Sequence, residues 1–255
     1  MKRLDLAARR DRIIALLSEE GELSAAELSG RLAVSVQTIR ADLRDLDDAA
    51  LVQRRNGAAR LRQQSENIGY LPRESVARQE KRRIALAVKN LIPDGARVAL
   101  GTGTTVEQPA RLLAARENLF VATNSIHAVC ALQNAPGAVV ELAGGSVRMR
   151  DLDMIGIAAH AFFANFRVDY AVFSCGGLSP DGAVMDYNSD EISARKAIAG
   201  CANTTILVAD TEKAGLDLAC RHAHLWDYDV IVTGAQLPAD VRRACAQRSC
   251  RLLRV

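Results

Sequence analysis

The stretch VALGTGTTVEQPARLL, residues 98–113, joins three apolar residues to a glycine-threonine loop and then to a helical pattern. Glycines let the backbone approach an anion closely, and the unpaired N–H groups at the start of a helix can donate hydrogen bonds to it. The stretch therefore predicts a strand, a phosphate-type loop and a helix. It leaves open whether such a pocket belongs to an enzyme or only senses its ligand.

Apolar, strand-like segments alternate with helical patterns from residue 97 onward, and this alternation predicts a parallel α/β sheet covered by helices. The segments are RVAL, LFVATN, AVVELAGG, DYAVFSCGG, TTILVAD, DVIVTG and CRLLRV. A polar run at residues 60–83 contains Gly69 and Pro72 and predicts a linker. We therefore expect an N-terminal domain at 1–62, a linker at 63–79 and a C-terminal domain at 80–255.

The composition is ordinary for a globular chain, with 49% hydrophobic and 25% charged residues among 255. A net charge of +3 permits a nucleic-acid partner without arguing for one. No run approaches about 18 uninterrupted apolar residues, and the first residues lack a signal-peptide pattern. These features predict a cytoplasmic protein without a membrane partner.

Cysteine and histidine spacing gives no sign of a metal site. The six cysteines are scattered without a C-x-x-C pair, so we interpret them as small buried hydrophobes in a reducing compartment. His222 and His224 lie two residues apart, which is poor spacing for one helical face. We expect neither a metal nor a cofactor.

The N-terminal domain carries helix start signals in front of helical patterns. Ser24 followed by Glu27 predicts a capping box, and Ser35 predicts the cap of a third helix. In this third helix, steps of three or four predict a buried face formed by Val36, Ile39, Leu43, Leu46 and Ala50. The other side carries Gln37, Thr38, Arg40, Ala41 and Arg44. Glutamine suits adenine edges and arginine suits guanine edges or phosphates, so this face is a candidate for the major groove of DNA.

A basic hairpin follows the third helix. VQRR, the turn pair Asn56-Gly57 and AARL predict two antiparallel strands with arginines and no acids, which is typical of a wing along a phosphate backbone. The alternative is a three-helix module that binds another protein, favoured by acids that would repel DNA: Asp42, Asp45, Asp47 and Asp48. We favour DNA binding, through Ser35, Gln37, Thr38, Arg40, Arg44, Arg54 and Arg55.

In the C-terminal half, further polar loops follow the strand segments at residues 123–125, 144–151 and 175–177. Ligands of open α/β sheets bind at the carboxyl ends of strands, so these loops should converge. Arg148 and Arg150 can hold a charged group by paired hydrogen bonds, and Lys196 and Lys213 are further cationic candidates.

The chain resembles DeoR-type bacterial transcription regulators over nearly its whole length. Their VS-x-x-TIR-x-DL-x-x-L recognition helix is matched by VSVQTIRADLRDL, and their HGGA wing turn by NGAA. In the C-terminal half the matching pieces are GTT, TNS, LAGG, R-x-RD, GLSPDG, E-x-x-x-RKAI and AD-x-x-K-x-G. The resemblance implies a winged helix-turn-helix followed by an α/β sensor domain related to ribose-5-phosphate isomerase-like folds.

The resemblance also implies a homo-oligomer, dimer or tetramer, that binds double-stranded operator DNA and a phosphorylated sugar or polyol. IPDG, LAGG-x-x-R-x-RD and FRVDYAVF are most similar to the glycerol-3-phosphate regulon repressors, so glycerol 3-phosphate is the first expected effector. Gly101 stands where the family usually carries an acid, and Pro109 is unusual early in the next helix. The expected effector-binding residues are Gly101, Thr102, Gly103, Thr104, Thr105, Thr123, Asn124, Ser125, Gly144, Gly145, Arg148, Gly176, Gly177, Glu191 and Lys213.

The alternative is a phosphosugar isomerase with a fused helix-turn-helix head, because GTGTT resembles the phosphate loop of those isomerases. Isomerisation needs a carboxylate base beside adjacent carbons. The segment SCGGLS offers no carboxylate before Asp181, which we interpret as a turn residue, and the other acids in reach are Asp186, Asp190 and Glu191. We therefore expect no catalytic residue and binding without turnover.

Overall fold

The computed structural model describes residues 6–48, 51–55, 57–61, 73–74 and 76–255, except for the side chains of residues 7, 18, 19, 55 and 61. The chain forms two compact units, Met1–Arg78 and Gln79–Val255. Several predicted features lie outside the described residues, namely Ala50, Asn56, Arg62 and most of the linker at 63–79.

Three helices and a three-stranded antiparallel sheet build the N-terminal unit. The elements are α1 (Leu6–Glu20), β1 (Glu22–Ser24), α2 (Ala25–Leu32), α3 (Val36–Asp48), β2 (Val52–Arg55) and β3 (Ala58–Leu61). The strand order is β1-β3-β2. β2 and β3 form the predicted hairpin, with Val52 opposite Leu61 and Arg55 opposite Ala58, whereas β1 was not predicted.

Local sequence signals set the helix starts and the core of this unit. The Ser24 hydroxyl accepts from the Glu27 N–H at 3.2 Å, and the Glu27 carboxylate accepts from the Ser24 N–H at 2.7 Å, which confirms the capping box. The Ser35 hydroxyl accepts from the Thr38 N–H at 3.1 Å. Of the predicted apolar face of α3, Ile39, Leu43 and Leu46 are buried, while Val36 packs against the same core partly exposed.

The C-terminal unit alternates strands and helices. Its helices are α4 (Arg78–Leu91), α5 (Thr104–Leu113), α6 (Ile126–Leu132), α7 (Ile157–Phe163), α8 (Ser189–Gly200) and α9 (Ala239–Gln247), with 3-10 turns at Thr211–Lys213 and Leu225–Asp227. Its strands are β4 (Arg97–Leu100), β5 (Phe120–Thr123), β6 (Val139–Leu142), β7 (Val147–Arg148), β8 (Asp153–Met154), β9 (Val168–Phe173), β10 (Gly177–Leu178), β11 (Ala183–Asp186), β12 (Ala202–Ala209), β13 (Cys220–His224), β14 (Val230–Thr233) and β15 (Arg251–Arg254).

Seven parallel strands form the main sheet, in the order β15-β14-β12-β9-β4-β5-β6. They are the seven segments predicted from sequence. Alternate residues of β12 enter opposite cores, Leu207 on one face with Phe163 and Phe173, and Ile206 and Val208 on the other. Both faces of the sheet are therefore covered, as the apolar runs require. Among the described residues, no helix is long and apolar enough to cross a membrane.

Two small antiparallel sheets were not predicted, β7-β8 and β10-β11-β13. β13 carries His222 and His224, so the helical spacing used to judge them does not apply, because residues two apart in a strand share one side. The two histidines have other contacts: His222 hydrogen-bonds the Tyr228 hydroxyl, and His224 stacks on Trp226 with ring centroids 4.6 Å apart. No group of three side chains suited to a metal occurs in the described part of the chain.

Gly177→Ala is expected to destabilise the C-terminal unit by about 1–3 kcal/mol, because a Cβ there would lie 2.6 Å from the Leu216 carbonyl oxygen and 2.8 Å from Leu216 Cβ. Equilibrium urea unfolding measures the change. Gly200→Ala is the matched control, since an added Cβ meets nothing within 4 Å. Equal stability of the Gly177→Ala variant and the wild-type protein would contradict the packing argument.

Candidate DNA-binding surface and candidate effector site

The polar face of α3 is open to solvent. Gln37, Arg40 and Arg44 are exposed, while Thr38 is half-buried with its hydroxyl oxygen 2.8 Å from Ser35 Oγ. On β2, Arg54 is exposed, whereas the side chain of Arg55 lies outside the described atoms. The three long side chains of the face predicted to contact DNA are thus accessible to solvent.

Two of the four acids of α3 pair with arginines of α1. Asp42 is only 2% exposed and accepts from Arg9, with Nε at 2.5 Å and Nη2 at 3.1 Å, and from Arg10 Nε at 3.4 Å. Arg10 also pairs with Asp45. Two of the four carboxylates are therefore neutralised by α1, which weakens the electrostatic argument against DNA binding.

A groove of about 340 Å³ runs between α2, α3 and the β2–β3 hairpin. Arg40 of α3 and Arg54 of β2 both line it, together with Ser24, Ala25, Ala26, Val36, Leu43, Gly57 and Ala58. The cations of the helix and of the hairpin therefore border one concave surface, as a winged helix that contacts DNA requires.

In the C-terminal unit, the loop after β4 leads directly into α5. Gly103 caps α5 with a φ of 104°, a conformation that favours glycine, and its carbonyl accepts from the N–H groups of Val106 and Glu107 at 2.9 and 3.0 Å. The first N–H groups of a helix have no intrahelical acceptor, so this turn suits an anion.

Gly101 is explained by close packing. An added Cβ would lie 3.1 Å from Phe173 Cβ and 3.4 Å from Ile198 Cδ1. Phe173 and α8 therefore occupy the space where a side chain at position 101 would begin. Pro109 lies inside α5 and is buried.

Two lysines approach the hydroxyls of this loop. Lys81 of α4 is 3% exposed and donates from Nζ to Thr104 Oγ1 at 3.1 Å, while lying 3.9 Å from Asp210. Lys213 donates to Thr105 Oγ1 at 3.3 Å and to Ser174 Oγ at 2.5 Å. Lys213 was predicted from the sequence, whereas Lys81 was not, because it lies in the charged run EKRR without a distinctive spacing. Lys196, a further cationic candidate, is exposed on α8.

A narrow cleft opens beside the loop, toward α8. Its walls are Gly101, Thr102, Asn124, Ile155, Phe173, Glu191, Ala194, Arg195 and Ile198. Its cavity volume of about 10 Å³ leaves room for about one water molecule. Four of the expected effector residues line this cleft, namely Gly101, Thr102, Asn124 and Glu191, whereas Arg195 and the apolar wall were missed.

Other expected effector residues support the loops instead of lining the cleft. Thr123 donates to the Leu100 carbonyl at 2.8 Å, and Ser125 caps α6 by accepting from the Ala128 N–H at 3.2 Å. Gly144 and Gly145 are exposed before β7. Gly176 and Gly177 are packing positions, since a Cβ would collide with Leu218 at the first and Leu216 at the second.

A network of two arginines and their carboxylates borders the cleft. Arg148 donates from Nε and Nη2 to Asp153 at 2.9 and 2.8 Å, and from Nη1 to Glu191 at 2.7 Å. Arg195 donates to Asp186 and to the Ser174 carbonyl, with Nη2 3.6 Å from Glu191. The paired hydrogen bonds expected between Arg148 and a ligand are thus made to Asp153, and Arg150 bonds Asp151 at 3.0 Å.

Burial and neighbouring charges give two carboxyl groups of this network, Asp186 and Glu191, very different pKa values. Burial raises the pKa of Asp186 to about 7, with Arg195 opposing and Glu191 reinforcing the shift. Burial opposes ionisation of Glu191 too, but hydrogen bonding to Asp186 and the charges of Arg195 and Arg148 lower its pKa to about 2. Asp181 is separate from them, because it accepts from the Ser179 hydroxyl and the Ala183 N–H within a turn.

Stability should depend on pH through Asp186. Its pKa rises from an ordinary 3.8 to about 7, so between these values the folded state holds a proton that the unfolded state has lost. Raising the pH from 5 to 7 should therefore lower the free energy of unfolding of the wild-type protein relative to Asp186→Asn. Urea unfolding at several pH values measures this, and Glu191 contributes little because its lowered pKa lies below the window. Parallel curves for the two proteins would contradict the expectation.

A three-helix winged unit with an exposed Gln/Arg face, followed by a parallel α/β unit with an anion-type loop, defines a DNA-binding regulator with a sensor domain. The chain belongs to the DeoR family. Residues 9–65 match the DeoR-like helix-turn-helix domain, and residues 76–235 match the DeoR C terminal sensor domain.

Relatives of known name cover almost the whole chain. The HTH-type transcriptional repressor CsqR of Escherichia coli is 34% identical, over 92% of this chain and 90% of the relative. The glycerol-3-phosphate regulon repressor of Haemophilus influenzae is 35% identical over 89% and 88%, and that of Escherichia coli is 31% identical over 96% and 97%.

Solved structures share less sequence identity with this chain than these relatives do. The ribose 5-phosphate isomerase A of Methanocaldococcus jannaschii has a TM-score of 0.38 at 18% identity, covering 52% of this chain and 53% of that chain. RipA from Yersinia pestis has a TM-score of 0.45 at 12% identity, covering 68% of this chain and 48% of that chain. Scores of this size inform neither site nor activity.

Proposed function

We propose that this protein is a cytoplasmic transcriptional repressor whose binding to operator DNA is controlled by a phosphorylated sugar or polyol. The observation that carries the proposal is the α5 loop with Lys81 and Lys213 on its threonine hydroxyls, in one chain with the exposed face of α3. The α5 loop with its lysines is suited to a phosphate, and the exposed face of α3 is suited to a major groove.

DNA binding is assigned to α3 and the β2–β3 hairpin. Gln37, Arg40 and Arg44 would contact base edges or phosphates, Ser35 and Thr38 the backbone near the helix start, and Arg54 and Arg55 the phosphates along the hairpin. One winged helix reaches few base pairs, so the active form is a homo-oligomer with two or more such units on one operator.

Effector binding is assigned to the α5 loop and the cleft beside it. The phosphate would accept from the N–H groups of residues 102–105 and from Lys81 and Lys213, as cations and helix N-termini both favour anions. The carbon skeleton would extend toward Asn124 and Glu191. Glycerol 3-phosphate is the first choice of effector, supported by the names of two relatives that match 89% and 96% of the chain.

We infer the control of DNA binding from the narrowness of the cleft. A cavity of about 10 Å³ leaves room for about one water molecule, so we expect the effector to bind a form of the sensor in which the cleft is wider. An effector that binds only the wider form shifts the population toward it. In that form the DNA-binding units of the oligomer would no longer match the operator spacing.

Binding without turnover is favoured over the isomerase alternative. The acids nearest the cleft, Asp186 and Glu191, are held by Arg195 and Arg148. A carboxylate base has to approach the substrate carbon, which these ion pairs oppose. Conversion of a ketose phosphate to an aldose phosphate by the protein, lost in Glu191→Gln, would instead support the enzyme.

The test measures binding of the full chain to the DNA upstream of its own gene, with a panel of phosphorylated polyols and sugars. At least one compound should change the affinity, and Lys213→Met should weaken its effect. Lys196→Met is the matched control, because Lys196 is an exposed lysine on α8 that does not line the cleft. If no compound changes the affinity, the sensor assignment is wrong, and if only a hexose phosphate acts, glycerol 3-phosphate is the wrong effector.

A further inference from the structure

Asn124 is held rigidly at the wall of the cleft. It follows β5 directly, is 1% exposed, and lies in the cleft lining with Gly101 and Thr102. Its side-chain Nδ2 donates to the Met154 carbonyl at 2.7 Å, and its backbone carbonyl accepts from the Met154 N–H at 2.9 Å. The first bond fixes the orientation of the side-chain amide, and the second holds the Asn124 backbone against β8.

The other end of the amide, Oδ1, is buried and has no hydrogen-bond partner among the described residues. Buried acceptors without a donor are uncommon and unfavourable, because the atom has lost its water. The unsatisfied atom belongs to a side chain that lines the cleft assigned above to the effector. A donor supplied by the bound molecule would satisfy it.

The polar groups around Asn124 indicate which kind of donor fits. Glu191 also lines the cleft and is an acceptor, since its pKa is lowered to about 2. The Arg195 guanidinium is engaged by Asp186 and the Ser174 carbonyl. Apart from Gly101 and Thr102, the remaining wall is apolar and is formed by Ile155, Phe173, Ala194 and Ile198. This end of the cleft therefore offers acceptors for O–H groups and an apolar surface for carbon.

We propose that Asn124 Oδ1 accepts a hydrogen bond from the effector hydroxyl that the corresponding carbonyl compound lacks, so that the sensor selects a phosphorylated polyol over the carbonyl compound of the same carbon skeleton. The inference rests on the proposed function. A ketone or aldehyde oxygen has no proton to donate and would place a second acceptor against Oδ1. The amide cannot turn to offer Nδ2 without breaking its bond to Met154.

The test titrates the full-length protein calorimetrically with matched pairs of compounds. The pairs are sn-glycerol 3-phosphate with dihydroxyacetone phosphate, and sorbitol 6-phosphate with fructose 6-phosphate. In whichever pair binds, the polyol should bind at least about tenfold more tightly, as expected for a hydrogen bond gained against an acceptor left unpaired. Equal affinity within the pair would overturn the inference.

The variant Asn124→Ser tests whether Asn124 causes the preference for the polyol. A serine hydroxyl can rotate to donate or to accept a hydrogen bond. The preference for the polyol over the carbonyl compound should therefore fall to less than about threefold, while the carbonyl compound binds at least as tightly as it binds the wild-type protein. Asn165→Ser is the control, because Asn165 is an exposed amide at the end of α7. Thermal melting checks that both variants fold.

The outcomes separate the inference from the function on which it rests. A wild-type preference that persists unchanged in Asn124→Ser would assign the selectivity to another residue and overturn the inference alone. If none of the four compounds binds the wild-type protein, the inference is overturned, and if in addition no compound of the wider panel changes operator affinity, the proposed function fails as well.

Discussion

Replacing Arg40 and Arg44 together by alanine is expected to weaken operator binding by about 30-fold or more. Both side chains are exposed on α3, and a well-formed arginine contact to a base edge contributes about 1–3 kcal/mol, which is about 5-fold to 150-fold in affinity for each contact. Fluorescence anisotropy with a labelled operator measures the change, at one fixed salt concentration because phosphate contacts are salt-dependent.

Arg31→Ala is the matched control for this prediction. Arg31 is also an exposed arginine of the N-terminal unit, but it lies on α2 and pairs with Glu20. Its loss should change operator affinity by less than about threefold. Unchanged affinity in the Arg40/Arg44 variant would support the alternative, in which the three-helix unit binds a protein partner.

The second large effect is expected on stability. Arg195→Met should lower the free energy of unfolding of the C-terminal unit by about 3–5 kcal/mol, because it leaves the buried Asp186 carboxylate without its counter-ion, whereas Glu191 keeps Arg148. Asp186 is fully buried and Glu191 nearly so, and both pair with Arg195. Trp226 is the single tryptophan and belongs to this unit, so its fluorescence during urea unfolding reports the change.

An exposed ion pair supplies the comparison for Arg195. Arg97 and Asp169 lie 2.6 Å apart at the start of β4 and β9, with the arginine side chain 53% exposed. Pairs in solvent contribute little, so Arg97→Met should lower stability by less than about 1 kcal/mol. Equal losses in the two variants would show that burial does not decide the energy of these pairs.

The main sheet could be predicted because its strands are short apolar runs between loops, a pattern that buried parallel strands require. The sheet β10-β11-β13 was missed because its members lack such runs. Gly177–Leu178 is only two residues long, and Cys220–His224 is mostly polar. Their pairing depends on residues far apart in sequence, such as Asp186 opposite Cys220.

The candidate site was predicted where its residues follow strand ends. Asn124 and the loop before α5 could be placed beside one another because parallel strands end at one edge. Lys81 and Arg195 lie on helices, where a buried cation looks like any other charged residue. Likewise, the sequence predicted that Asp42 would repel DNA, because it does not indicate the pairing of Asp42 with Arg9, which lies 33 residues away.

The narrow cleft also leads us to expect that cleft opening limits how fast the proposed effector binds. If the effector enters only after Glu191 and the loop before α5 have separated, opening precedes binding and limits it. In stopped-flow mixing, the observed rate should therefore level off as effector concentration rises, at the opening rate of the empty protein. A rate that keeps rising linearly would mean that the ligand itself opens the cleft.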